Sequence, residues 1–390
     1  MLAVRLASSP SSSISASRRL ASFVRHMSSH EVVIVSASRT PVGSFNGTLK
    51  ALTAPQLGAI ALKHAIEKSK VNPDLIEELY YGNVVQAGVG QSPARQVCAS
   101  AQSIQTGTRL VIIAKADTVA QTPSRFLLPR QNPAFGKFET KDSLQTDGLW
   151  DVYNDFAMGN CGEAAAEKHQ ITRESQDAHA IESFRRAERA WKAGAFDAEI
   201  APVTIKGKKG DTIVAEDEQY KRVIYEKIPT LNAAFKKGGT ITPANSSPLN
   251  DGASALILMS AEKAKELGVQ PIAKIISYAD AGLDPIDFPI APTVALPKAL
   301  ERANLKLEDI SLFEINEAFS AVVRIAEKVL GIDPAKINVN GGAVALGHAI
   351  GNSGSRIIVS LIHALKSGEY GAAGVCNGGG AASAVVIQKL

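Results

Sequence analysis

Hydrophobic residues along the chain form two kinds of stretch, short continuous runs and longer segments with helical spacing. Short apolar runs typical of buried strands occur at 32–35, 79–85, 110–114, 253–259, 272–277, 310–315, 372–375 and 384–388. Segments with apolar residues at helical spacing occur at 55–68, 173–194, 260–267, 293–303, 320–330 and 354–365. The alternation predicts an α/β protein whose helices cover mostly parallel sheets on both faces.

The alternation is clearest in two blocks, roughly 31–120 and 250–390, which resemble each other as a weak internal duplication. The segment between them is more polar and has a predicted hairpin turn at 206–210. Its basic residues are Lys221, Arg222, Lys227, Lys236 and Lys237. They form either a solvated face or a contact surface for a phosphorylated ligand.

Composition limits the function classes. With 390 residues the chain is long enough for two or more domain-sized units. It has no apolar run of about 18 residues, so we expect no membrane span. The net charge of +4 matches four arginines in residues 1–30, which contain no acidic residue. The remaining chain is neutral, which argues against nucleic-acid binding.

The three cysteines are Cys98, Cys161 and Cys376. The odd number and the lack of a Cys-x-x-Cys spacing argue against a disulfide framework or a zinc site, and for a reducing compartment.

The amino-terminal segment 1–28 is rich in Ser and Arg and is predicted to be a mitochondrial presequence rather than part of the fold. A disordered tail is the simpler alternative. An internal start at Met27 would give a cytosolic form. The pairs Arg19-Leu20 and His26-Met27 have a spacing similar to that of an amino-terminal peroxisomal targeting signal.

Two Gly-rich stretches carry the residues best suited to chemistry. The first, 338–351, contains His348 between Gly347 and Gly351, and the second, 376–383, begins with Cys376. A single histidine in an apolar run is commonly a core residue. However, glycines allow a ligand to approach closely, and an imidazole and a thiol are the parts of acid–base or nucleophilic catalysis.

The motifs 316–319 (Asn-Glu-Ala-Phe), 341–348 (Gly-Gly-Ala-Val-Ala-Leu-Gly-His) and 376–380 (Cys-Asn-Gly-Gly-Gly) follow one another in the order and spacing of thiolases. Segments 36–41 and 250–253 match as well. The chain therefore resembles the thiolase family from Glu31 to Leu390. The Cys-Asn-Gly-Gly-Gly form is similar to that of biosynthetic acetyl-CoA acetyltransferases.

The resemblance implies a thiolase-like α/β fold. In it, two similar βαβ-type halves are layered αβαβα, with five-stranded sheets around central helices and an inserted loop domain. The bounds expected here are 31–263 for the amino-terminal half, about 131–245 for its loop domain, and 269–390 for the carboxy-terminal half. The resemblance also implies a homo-oligomer, a tetramer in the family.

The implied activity is acetyl-CoA C-acetyltransferase, which converts two acetyl-CoA into acetoacetyl-CoA and CoA, and back, through an acetyl-cysteine. Such a reaction serves fatty acid, ketone and isoprenoid precursor metabolism. By resemblance Cys98 is the nucleophile, His348 its base and Cys376 a second acid or base. Asn316 would hold a water at one oxyanion pocket, and the backbone N–H groups of Cys98 and Gly378 would form the other.

The resemblance also implies a CoA site, and positions matching family contacts are Arg222, Val223, Ile224, Lys227 and Ser247. No cofactor is required. The resemblance leaves open a potassium ion held by carbonyl groups of Pro243, Ala244, Ser246 and Val344. Phe184, which replaces a tyrosine of potassium-activated members, weakens that site.

The chain departs from the family around the nucleophile. Family members have a segment between the motif at 92–96 and the nucleophile, and another after Ser100, and both are missing here. Ala114–Thr118 stands where they have Gly-Gly-Met-Glu-Ser, and Ala349 replaces a common proline. The alternative function is therefore a catalytically impaired splice or gene-model variant without turnover. A ketoacyl-synthase-like enzyme and a long-chain degradative thiolase are disfavoured by the Cys376 motif.

Overall fold

The computed structural model describes residues 31–101, 111–117, 126–127, 135 and 140–390. For 111–117 and 126–127 only the backbone is described. The predicted presequence lies outside the described residues.

The strands are β1 Val32–Arg39, β2 Gly43–Ser44, β3 Glu78–Gly82, β4 Val111–Asp117, β5 Phe126–Leu127, β6 Lys141–Asp142, β7 Trp150–Asp151, β8 Phe156–Ala157, β9 Val203–Ile205, β10 Thr212–Val214, β11 Asn250–Ser260, β12 Ala273–Gly282, β13 Ile310–Ile315, β14 Tyr370–Asn377 and β15 Ala381–Lys389. The α-helices are α1 Ala54–Ser69, α2 Pro93–Ser100, α3 Met158–Lys168, α4 Arg173–Lys192, α5 Ala261–Leu267, α6 Pro292–Ala303, α7 Ser320–Leu330, α8 Ala343–Leu346 and α9 Ser353–Ala364.

Local sequence explains several helix ends. Thr53 and Gln56 form a reciprocal capping box at the start of α1. The Thr172 side chain accepts a hydrogen bond from the backbone N–H of Ser175 and so caps the start of α4. Helix α5 ends before Gly268, because that residue takes a left-handed conformation with φ of 65°.

The main sheet runs in the order β13-β14-β15-β12-β1-β11-β4-β3, and β2 pairs with β11. Its two halves mirror each other. The β13–β14 pair is parallel, like the β3–β4 pair, and the next strand, β15 or β11, pairs in the antiparallel direction. This order agrees with the predicted internal duplication. The halves meet where β12 pairs with β1.

The prediction of mostly parallel sheets is wrong. Five of the seven pairings along the main path are antiparallel, and only β13–β14 and β3–β4 are parallel. One reason is visible between β14 and β15, where three glycines, Gly378 to Gly380, reverse the chain tightly. Such a short connection can join only antiparallel strands. The described strands also form one continuous sheet path rather than two separate five-stranded sheets.

The centre of the sheet is covered on both faces, as predicted. In β11, Ala255 and Ile257 pack in the same cluster as Leu57 of α1, whereas Leu256 and Leu258 pack with α9. The strand is buried from residue 250 to 259 for this reason. In the polar insert, β9 and β10 pair as the predicted hairpin around 206–210.

Candidate active site

The loop before His348 is held against the start of β11. The backbone N–H of His348 donates to Asn250 Oδ1 at 2.9 Å. Gly347 has a φ of 109°, and a Cβ atom there would lie 2.6 Å from Asn250 Cγ and from Val42 Cγ1. Only glycine fits this close approach. Gly347 therefore determines the path of the backbone between the end of helix α8 and His348.

The His348 imidazole is oriented by the first turn of α9. Its Nδ1 atom lies 2.6 Å from Ser353 Oγ, and the Ser353 hydroxyl donates to the carbonyl of Ala349 at 3.1 Å. Since that hydroxyl proton is already used, Nδ1 carries the proton and Nε2 keeps its lone pair. Burial, and then the charge of Arg356, lower the pKa of His348 to about 4. The imidazole is neutral at pH 7 and suited to be a base.

Cys376 lies near the end of β14, paired with Ala382 of β15. Burial raises the pKa of its thiol to about 12. The thiol is therefore protonated at rest, and its thiolate, once formed, is a strong base. The turn that follows is held against the segment after β12, because the backbone N–H of Leu283 donates to the Gly380 carbonyl at 2.8 Å.

Asn316 follows β13 directly, and its backbone N–H donates to the Gly374 carbonyl at 3.0 Å. Its side chain is 1% exposed, and neither carboxamide atom has a hydrogen-bond partner among the residues that the structure describes. Buried polar groups are normally paired. This carboxamide is therefore suited to hold a water or a substrate oxygen.

Glu317, the next residue, was not predicted from the sequence to belong to the site. Its carboxylate accepts from four donors: His179 Nε2 at 3.0 Å, Ser183 Oγ at 2.8 Å, Asn338 Nδ2 at 2.9 Å and the N–H of Val344 at 3.1 Å. Burial alone would raise its pKa, but His179 and the hydrogen bonds hold the pKa at about 2. Its place inside the 316–319 motif was the signal that could have revealed it.

His348, Cys376 and Gly378 line one cavity of about 470 Å³. Ser247 lines it too, with its hydroxyl donating to the Ala318 carbonyl at 2.9 Å. Its apolar walls include Leu144, Met158, Phe235, Phe288 and Phe319. A neutral imidazole and a thiol thus line a largely apolar space, in which electrostatic interactions are stronger than in water.

Cys98 is placed elsewhere. It is 4% exposed on α2, a helix that packs against α1 and β3. Among the described residues, it does not line the cavity with His348. Burial raises the pKa of its thiol, which Arg95 partly opposes. Residues 82–84, at the end of β3, lie against Gly351 of the histidine loop.

Four of the predicted CoA contacts lie together on the polar insert. Arg222 ends a 3-10 helix at Gln219–Arg222, and Lys227 lies in another at Tyr225–Thr230. Both are exposed, as is Ile224, whereas Val223 is partly buried. Within the described part of the chain none of these four lines the cavity, in contrast to Ser247.

The predicted potassium ligands Pro243, Ala244 and Ser246 lie in the loop before β11, and Val344 lies in α8. Phe184 packs against Val344 and its neighbours in an apolar cluster, so this position supplies no side-chain oxygen. Elsewhere in the described ranges, no group of three or more His, Cys, Asp or Glu could hold a metal ion. No helix of those ranges is long and apolar enough to cross a membrane.

Comparisons with known proteins show the family to which the chain belongs. The family model "Thiolase, N-terminal domain" matches residues 32–116 and 97–262, and "Thiolase, C-terminal domain" matches 269–389. A Xenopus laevis protein named acetyl-CoA acetyltransferase B, mitochondrial, is 50% identical over 398 residues, covering 95% of this chain and 94% of its own. The Bos taurus protein named acetyl-CoA acetyltransferase, mitochondrial, is 48% identical over 398 residues, with coverages of 95% and 94%.

Two solved structures have the same fold. An Ascaris suum thiolase in complex with coenzyme A has a TM-score of 0.88 and 44% identity, covering 92% of this chain and 100% of its own. The Bacillus anthracis acetyl-CoA acetyltransferase has a TM-score of 0.87 and 36% identity, with coverages of 93% and 99%.

Proposed function

Because the chain belongs to the thiolase family, we propose that it is an acetyl-CoA C-acetyltransferase, which joins two acetyl-CoA into acetoacetyl-CoA and CoA. The observation that carries the proposal is the cavity that the neutral imidazole of His348 and the buried thiol of Cys376 both line. The same site catalyses the reverse thiolysis.

In the first half-reaction a cysteine thiol attacks the acetyl-CoA carbonyl. His348 takes the thiol proton on Nε2, and the Cys376 thiol gives its proton to the departing CoA thiolate. The products are an acetyl-cysteine, free CoA, a protonated His348 and a Cys376 thiolate. Asn316, through a water, and the N–H of Gly378 stabilise the negative oxygen that develops.

In the second half-reaction the Cys376 thiolate removes a proton from the methyl group of a second acetyl-CoA. A thiol with a pKa of about 12 gives a thiolate basic enough to contribute to this step. The carbanion attacks the acetyl-cysteine carbonyl, the carbon–sulfur bond breaks, and acetoacetyl-CoA forms. His348 returns its proton to the cysteine, which completes the cycle.

We assign the acetyl group to Cys98, the position that matches the family nucleophile. Its place on α2, outside the cavity lining, means that α2 must approach His348 when acetyl-CoA binds. CoA itself would lie along Arg222 and Lys227, whose positive charges suit its phosphates, and reach the cavity at Ser247. The relative solved with coenzyme A supports CoA as the ligand class.

The remaining assignments are part of the same proposal. The halves span 31–263 and 269–390 with a loop domain at about 131–245, and the chain assembles as a homotetramer. It is located in the mitochondrion, like the relatives named mitochondrial, with residues 1–28 as its transit peptide. No cofactor is required. A potassium ion on the carbonyls of Pro243, Ala244, Ser246 and Val344 is tested by assays in potassium and sodium buffers.

The test combines turnover with intact mass. Purified protein is mixed with acetyl-CoA, acetoacetyl-CoA formation is followed, and the protein is weighed for an added acetyl group. Cys98→Ala should lose both adduct and turnover. Cys161→Ala is the matched control, since Cys161 is also buried, its thiol donating to Asp151 3.4 Å away. Cys376→Ser should keep the adduct but lose condensation.

Two outcomes would overturn the proposal. An unmodified, folded wild-type chain without turnover would mean that it keeps the family's fold and not its chemistry. An adduct that survives in Cys98→Ala would move the acetyl group to another residue.

A further inference from the structure

We propose that Asn250 is a positioning residue, whose side-chain amide fixes the backbone of His348 and so the place of its imidazole in the cavity. The inference rests on the proposed function, because His348 is the base of that reaction. Asn250 begins the 250–253 segment, which matches the family and has no part in the proposed reaction steps. Among the described residues it does not line the cavity, so it acts through His348.

The Asn250 side chain joins two backbone segments. The residue is 0% exposed at the start of β11. Its Nδ2 atom donates to the Gly43 carbonyl at 3.0 Å, and its Oδ1 atom accepts from the backbone N–H of His348 at 2.9 Å. Because the carbonyl can only accept and the N–H can only donate, the orientation of the amide is fixed. A carboxylate in its place would lack the donor, and an apolar side chain would lack both groups.

The Gly43 end of this link is anchored in the protein interior. The backbone N–H of Val42, the residue before Gly43, donates to Asp217 Oδ1 at 2.7 Å, and the Val42 carbonyl accepts from the N–H of Glu218 at 3.0 Å. Asp217 is paired with Arg39 through two hydrogen bonds of 2.7 and 3.0 Å, and both side chains are 0% exposed. Such bidentate, charge-assisted bonds are strong and geometrically specific. The Gly43 carbonyl is therefore a fixed point from which Asn250 can position another segment.

The other end of the link reaches the base directly. Leu249 forms an isolated backbone bridge with His348, and the Asn250 amide adds the hydrogen bond to the His348 N–H. The ring is held separately, since Nδ1 lies 2.6 Å from Ser353 Oγ. The amide thus sets where the histidine backbone lies, and Ser353 sets how the ring is rotated. Without the amide, the His348 N–H and the Gly43 carbonyl lose this buried partner, so we expect the loop to move and recover hydrogen bonds elsewhere.

A second buried amide provides the matched comparison. Gln176 of α4 is also 0% exposed, and its Nε2 atom donates to Thr240 Oγ1 at 2.9 Å and to the Ile171 carbonyl at 3.4 Å. These partners belong to segments other than the histidine loop, and within the described part of the chain Gln176 does not line the cavity. Loss of either amide removes two hydrogen bonds from the interior. Loss of the Asn250 amide alone should change the state of His348.

The test combines steady-state kinetics with ¹⁵N NMR of the histidine ring nitrogens, whose signals distinguish the two tautomers. A His348→Gln variant assigns the His348 signals. Asn250→Ala should lower kcat on the order of ten- to a hundredfold, because the base is displaced, and leave the KM for acetyl-CoA within about twofold. The ring proton of His348 should no longer be confined to Nδ1. Gln176→Ala should keep the wild-type kcat and tautomer at a similar loss of stability in urea.

Asn250→Asp keeps the test decisive if Asn250→Ala fails to fold. The new side chain has nearly the same shape, and its protonated form can donate to the Gly43 carbonyl as the amide does. Burial favours this neutral form. The rate of Asn250→Asp relative to the wild type should therefore rise several-fold as the pH is lowered from about 8 to about 6.

A folded Asn250→Ala variant that keeps the wild-type tautomer would overturn the inference, whatever its rate. So would an Asn250→Asp variant whose relative rate does not change with pH. The NMR measurement does not depend on turnover. A changed tautomer in Asn250→Ala, with a wild type that does not turn over, would refute the proposed function alone, whereas normal turnover with an unchanged tautomer would refute the role of Asn250 alone.

Discussion

Glu317 accepts a hydrogen bond from the backbone N–H of Val344 at 3.1 Å and so ties the segment after β13 to the helix that precedes His348. The same carboxylate binds His179 and Ser183 of α4 and Asn338. A single buried anion thus holds together segments that are far apart in sequence. The position of His348, the proposed base, depends on this anion.

We expect Glu317→Gln to lower the free energy of unfolding by about 3 kcal/mol, because the amide loses the charge-assisted bonds and cannot accept from all four donors. Activity should fall with it, since α8 loosens. Denaturant unfolding and steady-state rates check this. The control is Glu167→Gln, in an ion pair with Lys236 whose two side chains are exposed, which should cost less than about 1 kcal/mol.

Glu317 also gives stability a pH dependence. Its pKa is about 2 in the folded protein, below the ordinary value of 4.5. The folded state therefore holds the carboxylate form, so this stabilisation is complete above pH 4.5 and is lost as the pH falls toward 2. Unfolding measured across that range should show a shallower decline in Glu317→Gln. An identical decline in the two proteins would contradict the assignment.

Ser353→Ala should slow turnover about tenfold or more, because the imidazole loses the partner that fixes its Nδ1 proton and its orientation. The loss of one hydrogen bond should cost about 1 kcal/mol of stability. Ser360→Ala is the matched control: it lies on the same helix, is buried, and bonds Glu199 instead. Equal rate losses in both variants would point to the helix rather than to the histidine.

Gly347→Ala should destabilise the protein by at least about 2 kcal/mol and remove most activity, because its φ of 109° and the 2.6 Å approach to Asn250 leave no room for a methyl group. Gly268→Ala tests backbone strain by itself, since Gly268 has a φ of 65° and no heavy atom would lie within 4 Å of the new Cβ. That control should cost about 1 kcal/mol and keep full activity. Thermal unfolding and initial rates distinguish the two.

His348 should make the protein less stable in mild acid. Its pKa is lowered to about 4 when folded, against an ordinary value of 6.5. Protons therefore bind the unfolded chain more tightly, and the free energy of unfolding should fall by on the order of 2–3 kcal/mol as the pH drops from 6.5 toward 4. In His348→Gln this part of the decline should disappear, which urea unfolding at several pH values would reveal.

Much of the carboxy-terminal half could be predicted from its sequence. Strand β13 and helix α7 have the predicted bounds, because a short apolar run ends at Asn316 and a clear helical period ends at Gly331. Strand direction could not be predicted, since the partner of β1 is a strand more than two hundred residues away. Local pattern contains no information about such a pairing.

In the candidate site, too, some residues could be predicted from the sequence and others could not. Short sequence motifs made it possible to predict His348, Cys376 and Gly378 as site residues. All three line one cavity in the structure. Glu317 was not predicted, because its environment arises from contacts between distant segments. Its carboxylate accepts hydrogen bonds from His179 and Ser183 of α4.

The long-range pairing of β1 has a consequence for how the protein is made. Val32 pairs with Ser260, so the first strand emerges from the ribosome long before its partner exists. At roughly 5–20 residues per second the delay is about 10 to 45 seconds. During that time an apolar, β-branched strand is unpaired, which is the condition that favours aggregation. The amino-terminal half should therefore depend on chaperones until synthesis has passed residue 260.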